Sequence, residues 1–166
     1  MTFQLIVNNG SKSSTPATVV ITVKAAVTTN IAPTATVTAS SQNTSTGQLA
    51  IKAVDGVIDG YPGDYTKEWA TLGQKAGAWL NLAFAKAYTV DHIVLYDRRN
   101  TDDQILAATL TFSDGTVVSV GALNNTGAAT TISFTARSTS SVRLTVTSVS
   151  ATTLNIGLEE IQVYGQ

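Results

Sequence analysis

Acidic residues and glycines are concentrated in one loop, between an apolar segment that ends at Val54 and a tryptophan at position 69. This loop, residues 55–68, carries four carboxylates interleaved with glycines. A Ca²⁺ ion takes about six to eight oxygen ligands, and such a loop can supply both carboxylate and backbone carbonyl oxygens. The spacing does not match a helix-loop-helix calcium motif, so the residues alone leave two interpretations: a calcium loop or an ordinary acidic turn.

A second polar run, residues 97–104, directly follows a predicted strand. Planar guanidinium groups, carboxylates and amides bind sugar hydroxyls through paired hydrogen bonds. Its candidate carbohydrate-binding residues are Arg98, Arg99, Asn100, Asp102 and Gln104. The structural alternatives are an ion pair between Asp97 and Arg98 and a turn formed by Asp103 with Gln104.

Aromatic residues are the other common sugar-contacting type. Tyr61 and Tyr65 lie among glycine and proline, so we expect either exposed contact with a ligand or packing within their loop. Asn155, in the last loop, is expected to line a ligand face or to cap the calcium loop. Trp69 and Trp79 are expected in the core, because large aromatic side chains are usually buried.

The sequence offers little for catalysis. It has no cysteine and a single histidine, which excludes thiolate nucleophiles and His-clustered metal sites. His92 is expected on a strand without the partners that acid–base catalysis needs. No nucleophile elbow, phosphate loop or HExxH motif occurs. We therefore expect no catalytic residues and a protein that is not an enzyme.

Charge and hydropathy exclude two further classes of partner. The formal net charge is -1 and 13% of residues are charged, so no basic field attracts nucleic acid. No apolar run approaches the roughly 20 residues that span a bilayer. We expect neither nucleic-acid binding nor membrane insertion, and the Thr/Ser-rich, Lys-poor composition favours a secreted or cell-surface protein.

Short β-branched segments separated by turn residues predict an all-β, antiparallel β-sandwich of the jelly-roll type. One brief helix is expected near residues 48–54. The eight predicted strands of the main domain are 34–39, 78–84, 88–96, 108–113, 117–121, 130–135, 141–149 and 159–164.

The N-terminal residues predict a separate β-hairpin, with strands at 3–7 and 17–23 joined by a turn that contains Asn9-Gly10. This hairpin resembles the end of the immunoglobulin-like repeats of large bacterial surface proteins. We divide the chain into residues 1–24, the terminal hairpin of a preceding immunoglobulin-like module; 25–29, a linker; and 30–166, the main domain. A lone hairpin is marginal in water, so it should pack on the domain or on another chain.

The order of motifs in the main domain resembles the discoidin, or coagulation-factor type C, family of galactose-binding-like domains. The motifs are A-x-D-G at residues 53–56, W-L-N-L at 79–82, L-Y-D-R-x-N-x-x-D-Q-I at 95–105, F-S-D-G at 112–115, and a terminal G-L-E-E-I-Q-V-Y-G. The resemblance covers about residues 30–165. It is strongest with the bacterial branch of carbohydrate-binding modules.

The resemblance implies that the A-x-D-G loop and an acid near the C-terminus surround a structural calcium. Carried over by position, Asp55 and Glu160 are the side-chain ligands. The remaining candidates are Lys52, Asp59, Gly60, Glu68 and Glu159. The family often has a hydroxyl residue close before the loop tryptophan, and Glu68 stands there instead.

The function that the resemblance implies is that of a non-catalytic carbohydrate-binding module. It would hold a multidomain enzyme or surface protein on a polysaccharide or glycan, next to neighbouring domains of a larger polypeptide. The alternative is a structural or adhesive module without sugar affinity of its own.

Overall fold

The structure is a computed structural model that describes residues 1–22 and 27–166. These residues form β-strands and short 3-10 helices, and no helix among them is long and apolar enough to cross a membrane. The strands are β1 (Thr2–Leu5), β2 (Ala17–Val20), β3 (Thr29–Asn30), β4 (Thr36–Ala39), β5 (Trp69–Ala70), β6 (Trp79–Tyr96), β7 (Ile105–Phe112), β8 (Val117–Val120), β9 (Thr130–Val149), β10 (Gly157–Leu158) and β11 (Glu160–Gly165). The 3-10 helices are Ala32–Thr34, Ala50–Val54 and Tyr65–Lys67.

Two long antiparallel strands, β6 and β9, run through the whole domain. Their register is interrupted between Ala83 and Tyr88. Before the interruption β6 also pairs with β4, and after it β6 pairs with β11. The first part therefore belongs to a layer in the order β4-β6-β9-β7-β8, and the second part to a layer in the order β3-β11-β6-β9.

The two layers enclose one hydrophobic core. Leu80, Leu82 and Leu144 from the first layer and Ile93 and Ile161 from the second are fully buried in a single cluster. Their neighbours along each strand point away from it, because successive strand residues face opposite sides. Each such burial contributes about 1.5–3 kcal/mol, and the predicted antiparallel β-sandwich is confirmed.

Two pairs of strands that were predicted as separate are continuous in the structure. The predicted strands 78–84 and 88–96 are parts of β6, and 130–135 and 141–149 are parts of β9. The residues between them, 85–87 and 136–140, are mostly small or polar and mostly exposed, as in turns, but they form the bend through which each strand passes between layers. The expected helix is a 3-10 helix, and Thr34 lies in another 3-10 helix that contains Pro33 rather than in a strand.

The N-terminal hairpin forms as predicted, with Thr2 to Leu5 of β1 paired to β2. Within the described part of the chain these two strands pair only with each other, and all their residues are exposed. Val23 and Lys24, and the start of the predicted linker, lie outside the described residues. The linker's last residue, Thr29, is already paired with Gly165 in the main sheet.

The two tryptophans differ in their surroundings. Trp69 is completely buried, and its Nε1 donates to the Ser41 carbonyl at 2.9 Å. Trp79 is only half-buried on the outer face of the first layer, where the Arg143 guanidinium lies 4.1 Å from the ring centroid. The expected core position is therefore correct for Trp69 and wrong for Trp79. His92 is a half-buried strand residue, as expected, and stacks on Tyr164.

Candidate functional site

The polar run after β6 is a closed loop at one end of the sandwich. The Asp97 carboxylate accepts from the backbone N–H groups of Arg98 at 3.0 Å and Ile105 at 3.1 Å, so it fastens the loop at both ends. Asp103 joins this loop to the last one, because its Oδ1 accepts from the N–H groups of Leu154 at 2.6 Å and Asn155 at 3.4 Å. The predicted Asp103 turn is therefore a contact between two loops.

Arg98 occupies the centre of this loop end and is 5% exposed. Its Nε donates to Glu68 at 2.7 Å, and its Nη1 donates to Asp103 at 3.3 Å and to the Asn155 side-chain oxygen at 2.5 Å. Nη2 has no hydrogen-bond partner among the described residues, yet it is not shut off from solvent. We call Arg98, Glu68, Asp103 and Asn155 the Arg98 network.

Glu68 belongs to the Arg98 network rather than to the Asp55–Glu160 pair, and the acid whose pKa its charge raises is Glu159. It is fully buried, and Gln48 donates to the same oxygen as Arg98, at 2.6 Å. The Tyr61 N–H donates to its other oxygen at 3.0 Å. Gly60 passes so close that an added Cβ would lie 2.2 Å from Glu68 Oε2. The residue at position 60 must therefore lack a side chain.

Arg99 points to a different set of partners. Its Nη2 donates to the Ile58 carbonyl at 3.1 Å, and its Nε lies 3.1 Å from Glu159 Oε1. A Cβ on Gly127 would lie 2.8 Å from that Nε. Burial raises the pKa of Glu159, and the Arg99 charge opposes this rise. Arg99 therefore ties three segments together and is largely occupied by protein contacts.

The other predicted carbohydrate residues are dispersed around the Arg98 network. Asn100 donates to Asp103 at 2.8 Å and accepts from the Asp102 N–H at 3.1 Å, whereas Gln104 donates to the Leu123 carbonyl at 3.0 Å. Asp102 itself is exposed. Tyr61 and Tyr65 are about half exposed, at 52% and 48%.

Two apolar side chains that the sequence analysis did not single out stand at this end. Leu72 is 70% exposed and Leu154 is 71% exposed. Their loops are adjacent, because the Thr71 N–H donates to the Ile156 carbonyl at 2.8 Å. An apolar residue in the middle of a polar loop is the only sequence signal that marks them.

The expected calcium ligands Asp55 and Glu160 are brought together from opposite ends of the domain. Gly56 donates its N–H to Glu160 Oε2 at 3.3 Å, and Glu160 Oε1 is buried without a partner. Burial and the nearby Asp55 charge raise the pKa of Glu160 to about 8. Asp55 also accepts from the Val57 N–H and pairs with Lys52 at 3.6 Å.

The remaining candidate ligands do not join this pair. Asp59 accepts from the N–H groups of Gly60 and Asp64 within its own loop, while Glu68 and Glu159 contact the two arginines. No group of three or more acidic or histidine side chains in residues 1–22 and 27–166 is arranged to hold a metal ion. A cation here would have two carboxylates and would need backbone carbonyls to complete its shell.

These features define a class of protein: the chain is a discoidin-like, galactose-binding-like β-sandwich with a polar site on its end loops. Among solved structures, the family 32 carbohydrate-binding module of C. perfringens NanJ, in complex with galactose, has a TM-score of 0.65 at 20% identity, over 83% of this chain and 99% of that one. Residues 30–164 match the family described as a domain of unknown function, DUF7402, and the chain belongs to this family.

Two further solved structures are similar. Chitosan-binding module 1 from the chitosanase/glucanase of Paenibacillus sp. IK-5 has a TM-score of 0.60 at 27% identity, over 82% of this chain and 98% of that one. The Streptococcus pneumoniae fucose-binding module SpX-3 has a TM-score of 0.60 at 19% identity, over 82% and 97%. No curated protein matches the sequence.

Proposed function

We propose that the chain is a non-catalytic carbohydrate-binding module that holds a larger secreted or surface protein on a polysaccharide or glycan. The observation that carries this proposal is the Arg98 network, in which a buried guanidinium is fixed by protein groups and keeps one nitrogen available. Its position on the end loops of a fold shared with modules solved with sugars supports the same conclusion.

The Arg98 network is suited to hydroxyl recognition because its donors are fixed in advance. Glu68, Asp103 and Asn155 hold the guanidinium plane through three contacts. Nη2 of Arg98 and the Asn155 side-chain nitrogen donate to no described residue and both reach solvent. Binding to preorganised donors avoids the entropy cost of ordering flexible side chains. The site therefore offers N–H donors to sugar hydroxyls from two side chains that contact each other, Arg98 and Asn155.

The apolar part of a sugar also has a surface to contact. Leu72 and Leu154 are both about 70% exposed, and Leu154 directly precedes Asn155. Small-ligand sites combine apolar contact with a few fixed polar groups. We infer that the C–H face of a pyranose packs on these leucines while its hydroxyls accept from Arg98 and Asn155.

A glycan array followed by calorimetry on the best ligand tests this function. We expect Asn155→Ala and Leu154→Ala each to weaken binding by about tenfold, the effect of losing one hydrogen bond or one apolar contact. Leu5→Ala is the matched control, since Leu5 is similarly exposed at 64% but lies in the N-terminal hairpin. Melting temperatures should remain within a few degrees of wild type.

Two results would contradict the proposal. If no glycan binds, with or without calcium, the chain is the structural or adhesive module that the sequence left as the alternative. If a glycan binds and both loop variants bind it as well as the control does, the site lies elsewhere on the domain.

We also propose a structural calcium held by Asp55 and Glu160. The support is Glu160 Oε1, a buried carboxylate oxygen without a hydrogen-bond partner, next to a second carboxylate. Buried carboxylates are retained when they are paired or coordinate a metal. The ion would neutralise both charges and fix the turn after the 3-10 helix Ala50–Val54 against the start of β11.

Calcium titration of the chelated protein tests this part separately. A ligand that binds only the native state raises its stability by mass action, so we expect a higher melting temperature in millimolar Ca²⁺. Glu160→Gln should abolish the increase, whereas Asp102→Asn, an exposed acid on a nearby loop, should preserve it. An equal increase in both variants, or none in the wild type, would count against the site.

The hairpin of residues 1–24 fits a multidomain protein. Phe3, Val19 and Val20 are 50–67% exposed on strands that pair only with each other among the described residues. Since an isolated hairpin is marginal in water, we infer that it completes a preceding immunoglobulin-like module. Limited proteolysis should cleave between residues 22 and 29 before it cleaves the main domain.

A further inference from the structure

The outer face of the first layer is polar, and the side chains that define it form no hydrogen bond or ion pair among the described residues. Its side chains alternate with the buried core residues of β6, β7 and β9, and none of them is buried. We define the threonine face by the outward residues Trp79, Asn81, Thr109, Thr111, Arg143 and Thr145.

The register places these residues in two rows across the strands. In the first row, Trp79 is paired with Thr145, Thr145 with Thr109, and Thr109 with Ser119. Neighbouring strands are about 4.8 Å apart, which is close to the length of one sugar unit in an extended polysaccharide. The hydroxyls of Thr109 and Thr145 bond to no side chain or backbone group in the described ranges. A row of this kind can meet successive units of one chain.

The charge on this face is unbalanced. Arg143 is exposed, and among the described residues it forms no ion pair and no side-chain hydrogen bond; its guanidinium lies over the Trp79 ring. The strands of this layer, β4, β7, β8 and the parts of β6 and β9 within it, carry no acidic residue. A ligand with carboxylate groups would therefore meet a guanidinium and no repelling charge.

The threonine face is continuous with the loop end. The Trp79 N–H donates to Ser40 Oγ at 3.0 Å, and the Leu72 N–H donates to Ser41 Oγ at 3.0 Å. Two consecutive serines thus connect the tryptophan of this face to an exposed leucine of the loop site. These contacts place the loop site next to this edge of the sheet, so one polysaccharide chain can contact both.

We propose that the threonine face is a second binding surface, which takes an extended polysaccharide carrying carboxylate groups, as in a polyuronate. This inference deepens the proposed function and rests on it for the loop contact. Arg143, supported by the Trp79 ring beneath its guanidinium, binds a carboxylate, and Thr145 and Thr109 bind hydroxyls of the units beyond.

Native gel electrophoresis in sodium alginate, compared with hydroxyethylcellulose and with no polymer, tests this surface. We expect alginate to retard the wild type and hydroxyethylcellulose to retard it little. Arg143→Glu should weaken the alginate interaction by about tenfold, the loss of one charge-assisted contact. Trp79→Ala should weaken it as well. Lys12→Glu is the matched charge reversal, because Lys12 lies in the N-terminal hairpin.

The outcomes separate the two proposals. Because Arg143 is exposed and has no polar partner, Arg143→Glu should keep the wild-type melting temperature and the affinity for a short glycan, which Asn155→Ala loses. Equal retardation of Arg143→Glu and Lys12→Glu, stronger retention by the neutral polymer, or no retardation of the wild type would overturn the second surface. Failure of the loop site would appear instead as short-glycan binding that does not respond to Asn155→Ala.

Discussion

The buried pair of Arg98 and Glu68 makes a quantitative prediction. Arg98→Met would leave Glu68 and Asp103 buried without the guanidinium, and breaking a buried ion pair in this way costs about 3–5 kcal/mol of unfolding free energy. Glu68→Gln should cost less, about 1–3 kcal/mol, because an amide oxygen can still accept from Arg98 Nε. Arg98 would also keep Asp103 and Asn155 as partners.

The double variant distinguishes a coupled pair from two independent contributions. When both charges are removed, neither residue of this ion pair is left as a buried charge without its partner. The double variant should therefore be more stable than the sum of the single effects predicts, by at least about 1.5 kcal/mol. Urea unfolding at constant calcium, followed by the fluorescence of buried Trp69, provides the four free energies of the cycle.

Arg143→Met is the control for the loss of an arginine as such. Its side chain is exposed and forms no hydrogen bond or ion pair among the described residues, so the cost of this substitution should stay below about 1 kcal/mol. The reasoning fails if Arg98→Met is no more destabilising than this control. It also fails if the single effects add to within about 0.5 kcal/mol, since residues in one network are expected to couple.

Three further predictions follow from packing and burial. Gly157→Ala should prevent folding, judged by circular dichroism, because its Cβ would lie 1.7 Å from the Trp69 carbonyl oxygen. Gly127→Ala should displace Arg99 and lower the melting temperature, whereas Gly121→Ala, at a glycine with open space around it, should not. Burial raises the pKa of Asp97 from 3.8 to about 7, so its stabilising contribution is complete below pH 3.8 and is lost as the pH rises through 7. Asp97→Asn should consequently lose less stability than the wild type between pH 5 and pH 8 in thermal melts.

The layers of the sandwich could be predicted because their signal is local. In Leu80-Asn81-Leu82 the alternation of apolar and polar residues is already the alternation of core and surface. The joins between strands could not be predicted in the same way. Residues 85–87 are small or charged and exposed, and this composition is shared by turns and by a strand that bends from one layer to the next.

The sequence indicated which loops meet at this end of the domain, but it did not indicate how their charged side chains pair. The sequence correctly indicated that Asp55 and Glu160 converge, because the resemblance supplied that long-range contact. It placed Glu68 with the metal, whereas the structure pairs it with Arg98, 30 positions away. No local sequence pattern indicates which of several acidic residues forms the ion pair with a buried arginine. The available clue was that Glu68 immediately precedes a buried Trp, where an ionised side chain needs a partner.

Two consecutive glutamates at the start of β11 have different partners. Glu159, in the bend before β11, and Glu160, the first residue of β11, are both fully buried. Glu159 contacts Arg99, while Glu160 contacts the turn at Gly56. Burying two carboxylates side by side is unfavourable unless each is compensated. Arg99 compensates the first, whereas the second has only a backbone N–H, and this difference is what supports the calcium that we propose at Glu160.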